Sequence, residues 1–127
     1  VVARSVPSSL SLERSRRAAS RARSYVLEQC VGAGVAEDVC DAAVLMVSEL
    51  VTNAVEHARS RVELAVEVDP SRVHVEVQDQ NAALPAVQDA DAGAVHGRGM
   101  AIVDALASAW GVRPAARGKT VWFDLPR

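Results

Sequence analysis

Aromatic residues are scarce in this chain: two Trp, one Tyr and one Phe make up 3% of 127 residues. The apolar half of the composition, 50%, is mainly Val, Ala and Leu, enough for a domain-sized core that is real without being large. Cysteine is also rare. Cys30 and Cys40 make no disulfide framework, and their spacing fits neither a zinc pattern nor a C-x-x-C redox pair. A reduced, cytoplasmic setting is the simplest expectation. No apolar run approaches the ~20 residues a membrane span needs. No signal peptide is legible in Val1-Val2-Ala3-Arg4, and the missing initiator Met suggests a trimmed or partial chain. Neither sign of charge dominates: 14 Lys+Arg against 16 Asp+Glu give a net charge of −2. A domain that binds nucleic acid directly would usually be basic. The one basic cluster, Arg14, Arg16, Arg17, Arg21 and Arg23, has the spacing of a solvated helix face. Repeats and low-complexity tracts are absent, and the expectation is one domain over residues 1–127.

What the chain does have is periodicity. Residues 2–6 read as a short edge strand ended by Pro7, after which Ser8 or Ser9 caps a helix over 11–30 with Leu12, Ala19, Ala22, Val26 and Leu27 on its apolar side. Gly32 and Gly34 stop it. A second, mostly apolar helix spans 36–58, with Glu49, Asn53 and Glu56 on the side opposite Val47, Leu50, Val51 and Ala54. A helix that is apolar nearly all round is buried, so its polar patch is not ordinary surface. Val62, Leu64, Val66 and Val68, then Val73, Val75 and Val77, alternate with polar residues as two strands. Asp69-Pro70-Ser71 turns one into the other. His74 alternates outward and reads as surface. Residues 79–97 lack periodicity, and so long a loop in a small domain is usually functional. A helix over 99–109 follows, with Ile102, Val103, Leu106 and Trp110 as its buried stripe, then strands near 110–115 and 119–125. Two hairpins with helices on one side describe an α+β, two-layer sandwich with a mostly antiparallel sheet.

Three features can carry chemistry. Glu49 and Asn53 lie four apart on one helix face. Together they are a base and a neutral oxygen ligand, but the same spacing also makes ordinary helix-surface hydrogen bonds. Gly97-Arg98-Gly99 before a helix is an anion site or simply a turn. Asp79, at a strand end, is an acceptor for an exocyclic amine or a turn initiator. Neither G-x-x-x-x-G-K-[ST] nor G-x-G-x-x-G after a strand is present.

In combination these segments resemble the GHKL (Bergerat-fold) ATPase superfamily, in its actinobacterial anti-sigma factor serine/threonine kinase-like branch. Ser48-Glu49-Leu50-Val51-Thr52-Asn53-Ala54-Val55-Glu56-His57-Ala58 resembles the N box. Asp79 with Pro85 resembles the first nucleotide box, Gly97-Arg98-Gly99-Met100-Ala101-Ile102-Val103 the glycine box, and Gly118-Lys119-Thr120-Val121-Trp122-Phe123 the last core strand. The resemblance implies ATP and Mg²⁺ as cofactors. It makes Glu49 the general base, Asn53 the Mg²⁺ ligand, and Asp79 the adenine acceptor with Thr120 nearby. Gly97, Arg98, Gly99 and Met100 would line the phosphates beneath a lid over 80–96.

The implied activity is transfer of the ATP γ-phosphoryl group to a Ser or Thr of a small STAS-type anti-sigma factor antagonist. A sigma factor and a second copy of the chain are the further partners the resemblance implies. One departure favours a different class: Asp79-Gln80-Asn81-Ala82-Ala83 lacks the glycines of D-x-G-x-G, as in a module that regulates by sequestering a partner without phosphorylating it. A histidine kinase catalytic domain shares the fold but needs a helical domain with a phospho-accepting His.

Overall fold

Alternation of Leu10 and Leu12 with Ser9 and Ser11 makes Ser8–Leu12 the first strand, β1. A computed structural model describes residues 8–81 and 94–127, with side chains from Met100 onward in the second stretch. The strand expected at 2–6 lies outside these residues. The helix expected from residue 11 begins instead at Ala18 and runs to Gly32 as α1. Leu12 is fully buried opposite Val62 in a neighbouring strand. Its apolar character fits either period, and only that partner decides between them.

Helix α1 buries Ala18, Ala22, Val26 and Cys30, one residue per turn. Leu27, expected on that side, is 44% exposed. The helix includes Gly32 and is capped at Ala33, and Gly34 just beyond has a φ of 74°, the left-handed conformation a helix end favours. Val35 N–H donates to the Cys30 carbonyl and Gly34 N–H to that of Val31, each at 3.0 Å. This closes the helix end and turns the chain directly into α2, Glu37–Asn53. Glu37 and Asp38 in its first turn suit the positive end of the helix. Cys40 Sγ lies 3.5 Å from the Val35 carbonyl, and both cysteines are buried on the helices that flank the turn.

After α2 and a π turn, Ala54–Ala58, the chain enters the hairpin β2, Val62–Val68, and β3, Arg72–Asp79. Asp69 shapes the turn between them: its Oδ1 accepts from Ser71 N–H at 2.8 Å and Arg72 N–H at 2.9 Å. Helix α3, Ala94–Leu106, leads into β4, Ala109–Ala115, and β5, Gly118–Pro126. The five strands are antiparallel in the order β1-β2-β3-β5-β4, the two-layer α+β sandwich expected from the sequence. The core face combines Leu12, Leu64, Val75, Val77, Val121 and Phe123 with Met46, Val47 and Val51 of α2 and Val103 of α3. Trp110 does not belong to the α3 stripe. It starts β4 beside Phe123, and its indole N–H donates to Asp104 at 2.8 Å. Leu106 is 42% exposed. Among the described residues, no helix is long and apolar enough to cross a membrane.

The other sheet face carries charge. His74, expected at the surface, is held between Asp124, at 2.5 Å from Nδ1, and Glu76, at 2.7 Å from Nε2. Arg72 also reaches Asp124, and Arg113 reaches Glu76 at 2.6 Å. Trp122 lies over Gly111, where any Cβ would come within 2.8 Å of the indole nitrogen. The Arg113 hydrogen bond, with His74 beside it, holds the Glu76 carboxyl below its ordinary 4.5. The folded-state value therefore lies under the unfolded one, and the ionised form favours folding. That contribution is complete above the ordinary value and fades as pH falls through the depressed one. Glu76→Gln is expected to flatten the acid side of the stability profile, read as urea midpoints between about pH 3 and 6. Burial, with Cys40 next to it, pushes the Cys30 thiol up to about 12. The Cys30 thiol should therefore not take up iodoacetamide at neutral pH until the chain is unfolded, as mass spectrometry would show.

Candidate functional site

Sheet register brings the end of β3 and the beginnings of β2 and β5 to one end of the sandwich. Gln78 pairs with Glu63 near the start of β2, and Asp79 pairs with Lys119 near the start of β5. Helix α2 reaches the same end, because only the π turn, Arg59, Ser60 and Arg61 separate Asn53 from β2. Arg59 makes the reversal with φ at 53°, an uncommon conformation for a residue with a side chain. Ser60, 9% exposed, ties this turn to the end of β3: its Oγ accepts from Gln80 N–H at 3.0 Å and donates to the Arg61 carbonyl at 2.8 Å. At the far end of the sheet, Ala107 and Ser108 turn α3 into β4, so α3 approaches from the Asp79 end.

Glu49 and Asn53 are both half-buried on α2, while Met46, Val47, Leu50 and Val51 on its other sides enter the core. The helix-surface hydrogen bond that would explain the pair structurally is not formed. Among the described residues neither side chain has a hydrogen-bonding or ionic partner. Glu56 is exposed, and His57 lies 3.9 Å from it. A half-buried amide oxygen and carboxylate one turn apart suit an Mg²⁺ that takes its remaining oxygens from water and phosphate. Among the described residues no cluster of three or more acidic, His or Cys side chains could hold a metal alone.

Asp79 is 5% exposed. Its Oδ1 accepts from Asn81 N–H at 2.9 Å, and its Oδ2 forms an ion pair with Lys119 Nζ at 2.9 Å. Lys119 also donates to the Asn81 carbonyl at 3.1 Å. The pair is nearly out of water, with side chains 7% and 11% exposed. Gly118 makes this approach possible: a Cβ there would fall 2.0 Å from the Asp79 carbonyl oxygen.

Thr120, expected beside Asp79, pairs with Gln78 on the opposite parity of β5. Successive side chains of a strand leave opposite faces, so Thr120 belongs to the outer face with Trp122 and Asp124. Lys119, with Val121 and Phe123, belongs to the inner one. Met100 is 4% exposed and lies in the core. The glycine segment also sits differently from expectation. Helix α3 starts at Ala94, so Gly97, Arg98 and Gly99 fall inside its first turns and do not precede it. Ala94 and Val95 can adopt helical backbone, and a glycine weakens a helix without forbidding it. Pro85 and most of the expected lid fall in 82–93, outside the described residues. Sequence reading missed Ser60, Gly118 and Lys119 as site residues. The period-two alternation of Lys119, Val121, Phe123 and Leu125 was the available signal for Lys119.

An antiparallel sheet under helices, with a Glu–Asn pair that has no partner among the described residues and a buried carboxylate at a strand end, fits an ATPase-type domain without a P-loop. The family model described as the Histidine kinase-like ATPase domain matches residues 11–125, and the chain belongs to that family. Of the solved structures, the RsbU and RsbW domains of Rv1364c from Mycobacterium tuberculosis are similar, with a TM-score of 0.73 at 22% identity. That match covers 94% of this chain and 31% of the other, so this chain spans about a third of its length. No curated protein matches the sequence.

Gly118→Ala tests the strand-end geometry. The close neighbour is backbone, which cannot swing aside, so the variant should lose about 1–3 kcal/mol of stability in urea titrations.

Proposed function

We propose that the chain, as one domain over 1–127, is an Mg²⁺-dependent protein serine/threonine kinase of the anti-sigma factor type. The observation that carries the reading is the Glu49–Asn53 pair, half-buried on α2 without a partner among the described residues. Asn53 would hold Mg²⁺ together with the phosphates, and Asp79 would accept from the adenine 6-amine. Bound Mg²⁺ would neutralise phosphate charge. Glu49 would take the proton of a Ser or Thr hydroxyl as that oxygen bonds to the γ-phosphorus and the bond to the β-phosphate oxygen breaks. The amides at the start of α3 would add hydrogen bonds to phosphate. The substrate would be a small STAS-type antagonist, with a sigma factor and a second copy of the chain as further partners, in the cytoplasm. Support for these partners comes from the motif resemblance.

A second reading, a module that sequesters a partner without phosphorylating it, is favoured by Gln80 and Asn81 in place of glycines and by the occupied Asp79 carboxylate. Two measurements separate the readings. In calorimetry with Mg²⁺, wild type should bind ATP saturably, Asn53→Ala should lose the Mg²⁺ dependence, and Asp79→Asn should weaken binding roughly tenfold or more. With a candidate antagonist, Glu49→Gln should retain ATP binding while phosphoryl transfer falls by about 10²–10⁴-fold. Partner regulation that survives Glu49→Ala unchanged would leave the sequestering module as the account.

A further inference from the structure

Adenine presents two adjacent groups on its Watson–Crick edge, the 6-amine as donor and ring N1 as acceptor. The Asp79–Lys119 pair presents the complement, an acceptor beside a donor, at the same strand ends. A carboxylate has about four acceptor sites, and the described contacts use one on each oxygen of Asp79. An ammonium has three donors. Lys119 places one on Asp79 Oδ2 and one on the Asn81 carbonyl. The third has no partner among the described residues, although the side chain is only 11% exposed. Both chain partners of Lys119 fix its head group, and Gly118 fixes the strand that carries it. The donor therefore stands ready beside the acceptor before any ligand arrives.

We propose that Lys119 is a nucleobase-reading residue, donating to purine N1 while Asp79 accepts from the 6-amine. This rests on the reading of Asp79 as the adenine acceptor. Lys119 then separates adenine from bases whose position 1 carries a hydrogen. In a site this dry, the ammonium and a ring N–H would face each other as two donors, and a buried donor without an acceptor is strongly disfavoured. The ion pair has a second effect. It holds the Asp79 carboxylate in one orientation, with Oδ2 on the Lys119 ammonium and Oδ1 on the Asn81 amide.

The test deletes the same contact from either side. The ligand is cut with 1-deazaadenosine triphosphate, in which C–H replaces N1, and the protein with Lys119→Met. Calorimetry with Mg²⁺ compares ATP, the deaza analogue and inorganic tripolyphosphate as the base-free probe. Wild type should prefer ATP over the analogue by roughly tenfold or more. Lys119→Met should bind the two alike, with tripolyphosphate affinity changed less than about twofold. Lys119→Arg, which keeps a charged donor, should recover part of the preference. A general loss of structure would lower affinity for all three probes together, so the ATP-to-analogue ratio is the decisive readout. If Lys119→Met does not melt cooperatively, the ratio in wild type and Lys119→Arg decides alone. Equal binding of ATP and the analogue by wild type, or a preference that survives Lys119→Met, overturns the assignment. So does tighter ATP binding by Lys119→Met, which would make Lys119 a plug on Asp79. If wild type binds no ATP, or Asp79→Asn changes nothing, the nucleotide reading itself falls and this one with it. If Asp79→Asn weakens ATP while N1 proves irrelevant, only the role of Lys119 is lost.

Discussion

A slip of one residue between β3 and β5 would turn every side chain of one strand to the wrong face. In the register found, Val75 meets Phe123 and Val77 meets Val121 on the core side, while His74 meets Asp124 on the outer side. The same register sets Lys119 opposite Asp79, where the inner face ends in charge. Two requirements enforce it together. The apolar residues must be removed from water, and the Asp79 carboxylate must meet its ammonium. The glycine at 118 lets the strands close on each other at that end, because there is no room for a side chain against the Asp79 carbonyl. Removing either charge would leave the other buried without its counter-charge, typically a loss of about 3–5 kcal/mol.

The helices answer to the same frame. α1 packs on β1 and β2 while α2, beside it, packs on β3 and β5, and the backbone of α2 continues through the π turn and the left-handed Arg59 into β2. Irregular helix turns of this kind tend to gather at functional sites. Here the irregularity has a definite consequence: it brings the chain to Ser60, whose hydroxyl takes the Gln80 amide. Asn53 and Asp79 are far apart in sequence, yet they belong to neighbouring segments joined by that hydrogen bond. On the far face, the Arg72–Asp124–His74–Glu76–Arg113 network satisfies a sheet surface that no helix of the described chain covers.

Much of this was legible in advance, but unevenly. Strong period-two alternation gave β2, β3 and β5, and the long apolar stretch gave α2 with Glu49 and Asn53 on its polar side. Asp69-Pro70-Ser71 named its own turn. The errors lie where local signals were ambiguous. Leu12 fits a helix or a strand until Val62 is found beside it. Trp110 fits the end of a helix stripe until β4 claims it. Thr120 stood next to the right residue, yet one step along a strand is a change of face. The site residues drawn from motifs were placed by sequence alone, and the lysine that pairs with the Asp79 carboxylate was not among them.

The sequence by itself determined α2, β2, β3 and β5, the antiparallel class and the candidate chemistry, because periodicity and turn residues act over a few neighbouring positions. Only the tertiary structure decided which residue stands beside Asp79, that Ser60 anchors the π turn, and that Glu49 and Asn53 have no partner in the described fold. Those facts depend on strand register and helix approach. Both are set by burial of the whole core, and no short stretch of the chain encodes them on its own.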